Sequence, residues 1–394
     1  MTNFKPTATI VSAKPAGPGI RFDRNELAGA FGDIGTDLPL LVGISLAAKL
    51  DGTSVLVMFG IMSILTALRY RLPMPVQPLK AMAAIVIAQK IDGAILYGAG
   101  LAIGVLMLLL SVTGLIDWLA RVVPKSVVRG IQFGLGLQLA GLALKEYVQA
   151  DGATGYILAA ASFAITVAFI GNRKYPAALF VIAWGLIYAL AFKLDMADLA
   201  QRAGFGLPQV RVPQWPEIVT GLVVLALPQI PLSLGNSILA TRQVAADLFP
   251  DRPLQVRQIS LTYSLMNLIN PFFGGVPTCH GSGGMAGHYA FGGRTGGSVI
   301  IYGAMFLVMG LFFGEDFDAI VAVFPLPVLG VLLLFEGLTM ILLVRDIAEQ
   351  RTEFPITILV GLIAGSFPYG YVIAMVIGTA LVYLGRLRFT SLGK

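Results

Sequence analysis

Residues Pro277 to Gly297 read PTCHGSGGMAGHYAFGGRTGG, a glycine-dense run between two long apolar segments. An earlier interruption of the same kind, Pro73 to Lys80, reads PMPVQPLK. When a transmembrane helix is broken at membrane depth, its freed backbone N–H groups are tolerated only where they are buried in protein or line a watery cavity. One such break in each half of a chain is the usual indication of a transporter's substrate site. The two stretches therefore favour a secondary transporter for a small anion.

The composition excludes a soluble domain. The chain has 394 residues, of which 57% are hydrophobic and only 12% are charged, too few charges for a soluble surface. Apolar runs of about 17 to 25 residues repeat from Glu26 to Arg386, and each is long enough to cross a bilayer. The fold class is an all-α polytopic membrane protein. The net charge of +6 comes without basic segments interleaved with aromatics, so no nucleic-acid partner is expected.

The apolar runs predict 14 transmembrane segments in a 7+7 inverted repeat, with segments three and ten discontinuous. A polar linker follows segment seven, and an odd number of segments before it makes the second half enter the membrane in the opposite direction. The predicted segments cover about 26–48, 53–69, 78–89, 94–118, 126–147, 153–170, 176–193, 217–242, 254–272, 279–290, 296–314, 318–344, 354–365 and 369–387.

The distribution of basic residues gives the orientation. Of the 27 lysines and arginines, 20 fall in segments that are cytoplasmic if the N-terminus is inside, 6 fall outside, and Lys80 lies within the membrane. This asymmetry follows the positive-inside rule. Residues Met1 to Arg24 are polar and basic without an apolar core, so they resemble a cytoplasmic tail rather than a cleaved signal peptide. Both termini are expected in the cytoplasm.

The two breaks are suited to an anion. Pro75 and Pro78 precede segment three and Pro277 precedes segment ten, and proline is well tolerated in the first helical turn. Each start is expected to present free N–H groups and about half a positive charge. Lys80, one turn into segment three, adds a full cation. The total of about +2 matches a tetrahedral dianion, unless Lys80 is instead paired with Asp33 or Asp37.

The second break supplies candidate ligands. Gly281 and Gly283 allow the backbone to approach an oxyanion closely, and the hydroxyl groups of Thr278 and Ser282 can donate to its oxygens. For His280 two roles stay open, a direct anion ligand or an oriented hydrogen-bonding residue. No soft-metal site is expected, because the single cysteine cannot form one.

Segments one and eight each carry a polar helical face that is expected to look toward the cavity between the breaks. The alternative for such residues is an ordinary interhelical hydrogen bond. The faces consist of Gly29, Asp33, Thr36, Asp37 and Leu40 in segment one and of Gln229, Ser233, Asn236 and Ser237 in segment eight.

Three carboxylates lie within apolar spans, namely Asp33, Asp37 and Glu336. Intramembrane acids are functional candidates by default. Because an ionised Asp33 or Asp37 beside the anion would oppose binding, we hypothesise that one of them is protonated when substrate is held, which couples anion entry to a proton. The alternative is that they pair with Lys80 or cap a backbone break. Glu336 is interpreted as a structural or gating residue.

Four motifs carry a family resemblance. They are ELAGAFGDIGTDLPLLVG (26–43), PMPVQPLKAMAAI (73–85), PLSLGNSILA (231–240) and PTCHGSGGMAGHYAFGGRTG (277–296). Together they resemble the molybdate transporter family of bacteria and plants, a branch of the sulfate permease superfamily that lacks a C-terminal cytoplasmic regulatory domain. The chain is similar to that branch in ending at Lys394 without such a domain.

The resemblance implies a core domain of segments 1–4 and 8–11 that moves like an elevator against a gate domain of segments 5–7 and 12–14. The anion would lie between the starts of segments three and ten. The implied divisions are a tail (1–24), core (25–118), gate (119–194), linker (195–216), core (217–315) and gate with a short tail (316–394). The implied substrate residues are Thr36, Gln77, Lys80, Ser233, Asn236, Thr278, His280, Gly281 and Ser282.

The expected function is import of molybdate across a bacterial-type cytoplasmic inner membrane, with the lipid bilayer as its surroundings. Sulfate is the nearest alternative because both are tetrahedral dianions, and tungstate is a further oxyanion of this shape. A nucleobase or bicarbonate carrier is a weaker alternative, and a channel is a different class that counterflow would separate from a carrier. No cofactor and no enzymatic activity are expected. A homodimer is compatible with the sequence.

Overall fold

The computed structural model describes residues 19–116, 118, 122–169, 177–193, 204–314, 324–367 and 369–392, with side chains as far as Gly385. Parts of the sequence predictions lie outside these residues: the tail up to residue 18, the end of segment six at 170, the start of segment seven at 176, the linker up to residue 203 and the start of segment twelve at 318–323. Within the described residues, a helix is found at the position of every predicted segment.

The helices are numbered α1 to α14 after those segments. Helix α1 has two parts, and α8 is continuous through two π-helical turns, Leu222–Ala226 and Ser233–Leu239. Two short strands, β1 (Gln77–Pro78) and β2 (Thr278–Cys279), precede α3 and α10. The helices are α1 (Arg24–Ala30 and Ile34–Ala48), α2 (Gly52–Tyr70), α3 (Lys80–Gln89), α4 (Gly93–Thr113), α5 (Lys125–Leu142), α6 (Gly152–Phe169), α7 (Ala177–Phe192), α8 (Trp215–Leu248), α9 (Val256–Ile269), α10 (Ser282–Ala290), α11 (Gly297–Phe313), α12 (Leu326–Leu342), α13 (Glu353–Ser366) and α14 (Gly370–Leu392).

The chain is a multi-pass membrane protein. Among the described residues, 7 helical stretches are long and apolar enough to cross a bilayer, and others are shorter but apolar. Large apolar side chains on α6 and α7, such as Ile157 and Phe192, are exposed and would be covered by lipid. The long stretches are Arg24–Ala48, Gly52–Tyr70, Gly93–Thr113, Lys125–Tyr147, Gly152–Phe169, Trp215–Leu248 and Leu326–Ile347.

Helix α1 is interrupted between Ala30 and Ile34, whereas the sequence predicted one continuous helix. The interruption lies where the backbone of Gly32 meets the backbone of Gly287 in α10, so closely that a Cβ atom at either glycine would collide with the other. This contact between distant parts of the chain has no local signal. Helix α8 continues past Pro228 and Pro231 through the two π-helical turns.

Strands β1 and β2 pair antiparallel, with Gln77 opposite Cys279 and Pro78 opposite Thr278. The amide of Leu79 extends this pairing by donating to the carbonyl of Pro277 at 3.0 Å. Because the strands run in opposite directions, α3 and α10 leave them in opposite directions with their N-termini toward the pairing. Two sequence details were wrong: Lys80 is the first residue of α3 rather than one turn in, and α10 begins at Ser282 rather than 279.

The helices pack in two sets that meet around α3 and α1. In the first set, α2 packs against α11, and α4 packs against α9 and the beginning of α8. In the second set, α5 packs against α12 and α13, α13 against α14, and α6 against α7. The sets meet where α3 contacts α5 and where the second part of α1 contacts α7 and α12.

Glu26 ties the beginning of α1 to α11. Its buried carboxylate accepts backbone N–H groups from Arg294 at 3.0 Å, Thr295 at 2.9 Å and Ser298 at 3.0 Å. A negative charge is favourable at a helix N-terminus, where the amides have no partner within the helix. This carboxylate therefore caps α11 and holds the end of the glycine-dense run against α1.

Candidate anion-binding site

The strand pairing brings the N-termini of α3 and α10 to one place, but the two helix starts differ. At α10 the capping residue is Gly281, which has no side chain to accept a hydrogen bond; Ser282 is half-buried and Gly283 is exposed. At α3 the side chain of Gln229 accepts the amides of Ala81 at 2.9 Å and Met82 at 3.2 Å. The prediction that both starts present free N–H groups was therefore wrong for α3.

Lys80 is paired with Glu336. Its Nζ atom lies 2.9 Å from Oε1 of Glu336 in α12, so the predicted alternative of pairing with Asp33 or Asp37 was wrong. The side chain of Lys80 is 31% exposed and that of Glu336 is 13% exposed. Helix α3 packs against α1, α5 and α8, so this partly accessible lysine lies among helices of both packing sets.

Asp33 is held by Gln77. Nε2 of Gln77 lies 2.7 Å from each carboxylate oxygen of Asp33, which joins the break in α1 to β1. The Asp33 side chain does not cap the second part of α1. Gln77, which the resemblance assigns to the substrate, is buried and also lies against Gly281, where a Cβ atom would overlap its amide oxygen.

Asp37 is buried one turn after Asp33. Its Oδ2 atom accepts the hydroxyl of Tyr302 at 3.0 Å, whereas Oδ1 has no hydrogen-bond partner among the described residues. Asp33 and Asp37 are four residues apart, and the amide of Asp37 donates to the backbone carbonyl of Asp33 at 3.1 Å, so the two side chains lie on the same side of the helix. A proton shared between them would satisfy the buried oxygen that otherwise has no donor.

Three predicted substrate residues have their polar atoms engaged by protein. Oγ of Ser233 lies 2.7 Å from the hydroxyl of Tyr263 and accepts from Gln229. The His280 ring lies between Oγ1 of Thr262 at 2.7 Å and the carbonyl of Pro75 at 3.2 Å. Because a carbonyl only accepts, Nδ1 of His280 carries the proton and Nε2 accepts from Thr262.

Thr278 is the third of these residues, and two asparagines of the α9 region hold it. The Asn267 side chain bonds both backbone groups of Thr278, accepting its N–H at 3.0 Å and donating to its carbonyl at 2.7 Å. Asn270 donates to Oγ1 of Thr278 at 3.2 Å and to the carbonyl of Val276 at 2.9 Å. These side chains extend the hydrogen bonding of β2 and fix the strand in front of α10.

The remaining predicted residues keep accessible surface. Thr36, Asn236, Lys80 and Ser282 are half-buried and Gly283 is exposed. A Cβ atom at Gly283 would meet no atom within 4 Å. The structure thus separates the predicted residues into an accessible group and a buried group that supports the strands and helix starts.

Sequence reasoning missed four supporting residues. Tyr263, Asn267 and Asn270 hold the second break, and Tyr302 holds Asp37. The spacing of Asn267 and Asn270 puts both amides on one side of an otherwise apolar segment, and that pattern was a usable signal. Tyr302 lies in an apolar helix with no such pattern.

A family model and individual known proteins that resemble this chain are all described as molybdate transporters. The sequence model of the family described as "Molybdate transporter of MFS superfamily" matches residues 25–139 and 221–340. Molybdate transporter 2 of Arabidopsis thaliana is 34% identical over 379 residues, which cover 84% of this chain and 81% of that protein. Molybdate transporter 1 of Chlamydomonas reinhardtii is 26% identical over 441 residues, covering 83% and 85%.

Two solved structures share the fold. The transmembrane domain of the cyanobacterium bicarbonate transporter BicA superposes with a TM-score of 0.64 at 19% identity, covering 87% of this chain and 97% of that one. The murine anion transporter Slc26a9 in its inward-facing state gives a TM-score of 0.68 at 13% identity, covering 94% and 69%. At such identities the likeness concerns the fold alone.

Proposed function

This chain belongs to the molybdate transporter family, and on that premise we propose that it is a secondary active transporter that imports molybdate across a bacterial-type cytoplasmic inner membrane. Its relatives are transporters rather than enzymes. The observation that carries the proposal is the position of Lys80, an ammonium at the first residue of α3, joined through a two-residue strand pairing to the uncapped start of α10.

The electrostatics of this arrangement favour a dianion. The uncapped start of α10 contributes about half a positive charge and Lys80 a full one, although Glu336 offsets part of the charge of Lys80 and the Gln229 oxygen reduces the contribution of the α3 start. The exposed Gly283 leaves the start of α10 open to an oxyanion, and Ser282 adds a hydroxyl donor. Thr36 and Asn236 are the accessible polar residues of α1 and α8 in this proposal.

The proposed mechanism is an elevator. The first helix set would form a core (25–118 and 217–315) that carries the anion, and the second set a gate (119–194 and 316–394), in a 14-segment inverted repeat with both termini in the cytoplasm. Support comes from the two packing sets, from the BicA-like fold and from the asymmetry of lysine and arginine. The pairing of β1 with β2 keeps both helix starts within the first set, so the whole site would move with it.

We also propose that transport is coupled to a proton held by Asp33 and Asp37. Their carboxyl groups are buried, they lie one helical turn apart, and one oxygen of Asp37 has no hydrogen-bond donor among the described residues. The charged and titratable groups around them are Lys80, Glu336 and Tyr302. A shared proton lowers the negative charge beside the anion and makes its entry more favourable.

The test is uptake of labelled molybdate into proteoliposomes that contain the purified chain, with unlabelled sulfate and tungstate as competitors. Saturable uptake with counterflow, competed more strongly by tungstate than by sulfate, is expected for a molybdate carrier. Sulfate is the second candidate, since it is also a tetrahedral dianion; stronger competition by sulfate would favour it. Non-saturable flux without counterflow would indicate a channel and contradict the proposal.

A further inference from the structure

The ion pair between Lys80 and Glu336 joins the helix start that would hold the anion to α12 in the second helix set. We infer that Glu336 is a resident counter-anion of Lys80 that the substrate must displace, and that this competition selects divalent over monovalent oxyanions. The inference rests on the proposed function and deepens it.

Glu336 is the acid best placed for this role. The carboxylates of Asp33 and Asp37 also act on Lys80 through their charge, but each is hydrogen-bonded elsewhere, Asp33 to Gln77 and Asp37 to Tyr302. By contrast, Glu336 contacts the ammonium directly at 2.9 Å through Oε1. Among the described residues, no other ion pair involves Lys80.

The pair is accessible enough to be exchanged. The Lys80 side chain is 31% exposed, and because the pair joins side chains of two different helices, it can separate without unfolding either helix. The ammonium has three donors, and the structure gives one of them to Glu336. An oxyanion that reaches the other two would weaken the hold of the carboxylate.

Charge decides which anions can displace Glu336. A monovalent anion replaces one negative charge with another and leaves a partly buried carboxylate without its cation, so it gains little. A divalent anion interacts with Lys80 and the uncapped start of α10 more strongly, which compensates for the displaced carboxylate. Glu336 thereby disfavours monovalent competitors more than it disfavours the substrate.

The experiment measures binding of labelled molybdate to the purified full-length chain, with sulfate and perchlorate as competitors. Both competitors are tetrahedral oxyanions, and they differ in charge. Glu336→Gln removes the charge with little change in shape. The matched control is Asp151→Asn, which removes the partner of Lys193 in a different ion pair, 3.3 Å long, between the residue before α6 and the residue after α7. Asparagine also suits the left-handed backbone at this position.

We expect Glu336→Gln to bind molybdate about fivefold more tightly, since it removes the competing carboxylate. Perchlorate should compete about tenfold better relative to sulfate than in the original chain, and Asp151→Asn should match the original chain. If Glu336→Gln does not elute as a folded species, Glu336→Met, which is of similar length and uncharged, takes its place with the same expectation.

Weaker or unchanged molybdate binding in the Glu336 variant, with an unchanged ratio of perchlorate to sulfate competition, would overturn the inference and leave the proposed function standing. Equal weakening of the binding of every anion would also overturn the inference, because Glu336 would then only orient Lys80. Absence of oxyanion binding in the original chain would contradict the proposed function itself, and the inference with it.

Discussion

Gln77 and Asp33 link the two interrupted regions of the first half, with Nε2 of Gln77 2.7 Å from both oxygens of the buried Asp33 carboxylate. The strand before α3 and the break in α1 therefore have fixed relative positions. The same carboxylate lies against α10, because Oδ2 of Asp33 occupies the space that a side chain at Gly284 would fill. One acid thus connects all three discontinuous elements.

This contact predicts that alanine destabilises the protein at one glycine but not at its neighbour. In Gly284→Ala the added methyl group collides with the Asp33 carboxylate and with Pro75, and we expect a loss of about 1 to 3 kcal/mol in stability. Gly283→Ala is the control, because its methyl group meets no atom within 4 Å. Thermal unfolding of the purified variants checks this, and equal unfolding temperatures would contradict the described packing of Asp33.

The cap on α11 gives a second stability prediction. Glu26→Gln replaces one acceptor oxygen with an N–H₂ group that faces backbone donors, so we expect a loss of about 2 kcal/mol. The control is Glu217→Gln, because Glu217 accepts the amide of Gln214 at 2.7 Å at an exposed helix start, where water can substitute. Should the two variants unfold at the same temperature, the buried cap contributes no more than an exposed one.

Coupling to a proton predicts a pH dependence. If Asp33 and Asp37 share a proton when substrate is bound, molybdate uptake should rise as the external pH falls from about 8 to 5, and Asp37→Asn should flatten this rise. Asp247→Asn, which changes a carboxylate bonded to Gln243 at the exposed end of α8, should keep the original profile. A flat profile in the original chain would remove the proposal.

The cap on α3 provides a test of the local charge. In Gln229→Glu the new carboxylate can still accept the amides of Ala81 and Met82, but it is a buried charge that no longer donates to Ser233, so we expect a loss of about 1 to 3 kcal/mol in stability. Its negative charge lies beside the proposed anion, and we expect molybdate binding to weaken more than about tenfold. Equilibrium binding and unfolding are measured on the same sample, and unaltered affinity would place the anion away from α3.

The sequence predicted most of the helices and both strand-linked breaks because these depend on local chemistry. Apolar run length determines where a helix can cross the membrane, and prolines such as Pro75 and Pro277 mark where one cannot continue. The interruption in α1 escaped prediction because it lies at a backbone contact between Gly32 and Gly287, far apart in the chain.

Site residues were predictable by type but not by partner. Intramembrane charge identified Lys80 and Glu336 separately, yet their pairing spans 256 positions and nothing local indicates it. In the same way, Gln229 was recognised as a polar residue of α8, but its role as the cap of α3 depends on how α8 and α3 pack. The sequence identifies which polar and charged residues are available, whereas the packing of the helices determines which of them are accessible.

The central claim is that Lys80 at the start of α3 holds the oxyanion, and the most direct test is equilibrium binding of labelled molybdate to Lys80→Gln. Lys90→Gln is the matched control, since Lys90 lies at the other end of the same helix in an exposed ion pair with Glu146, also 2.9 Å long. We predict that Lys80→Gln weakens binding at least about hundredfold while Lys90→Gln binds like the original chain. Equal affinity in the two variants would contradict the account.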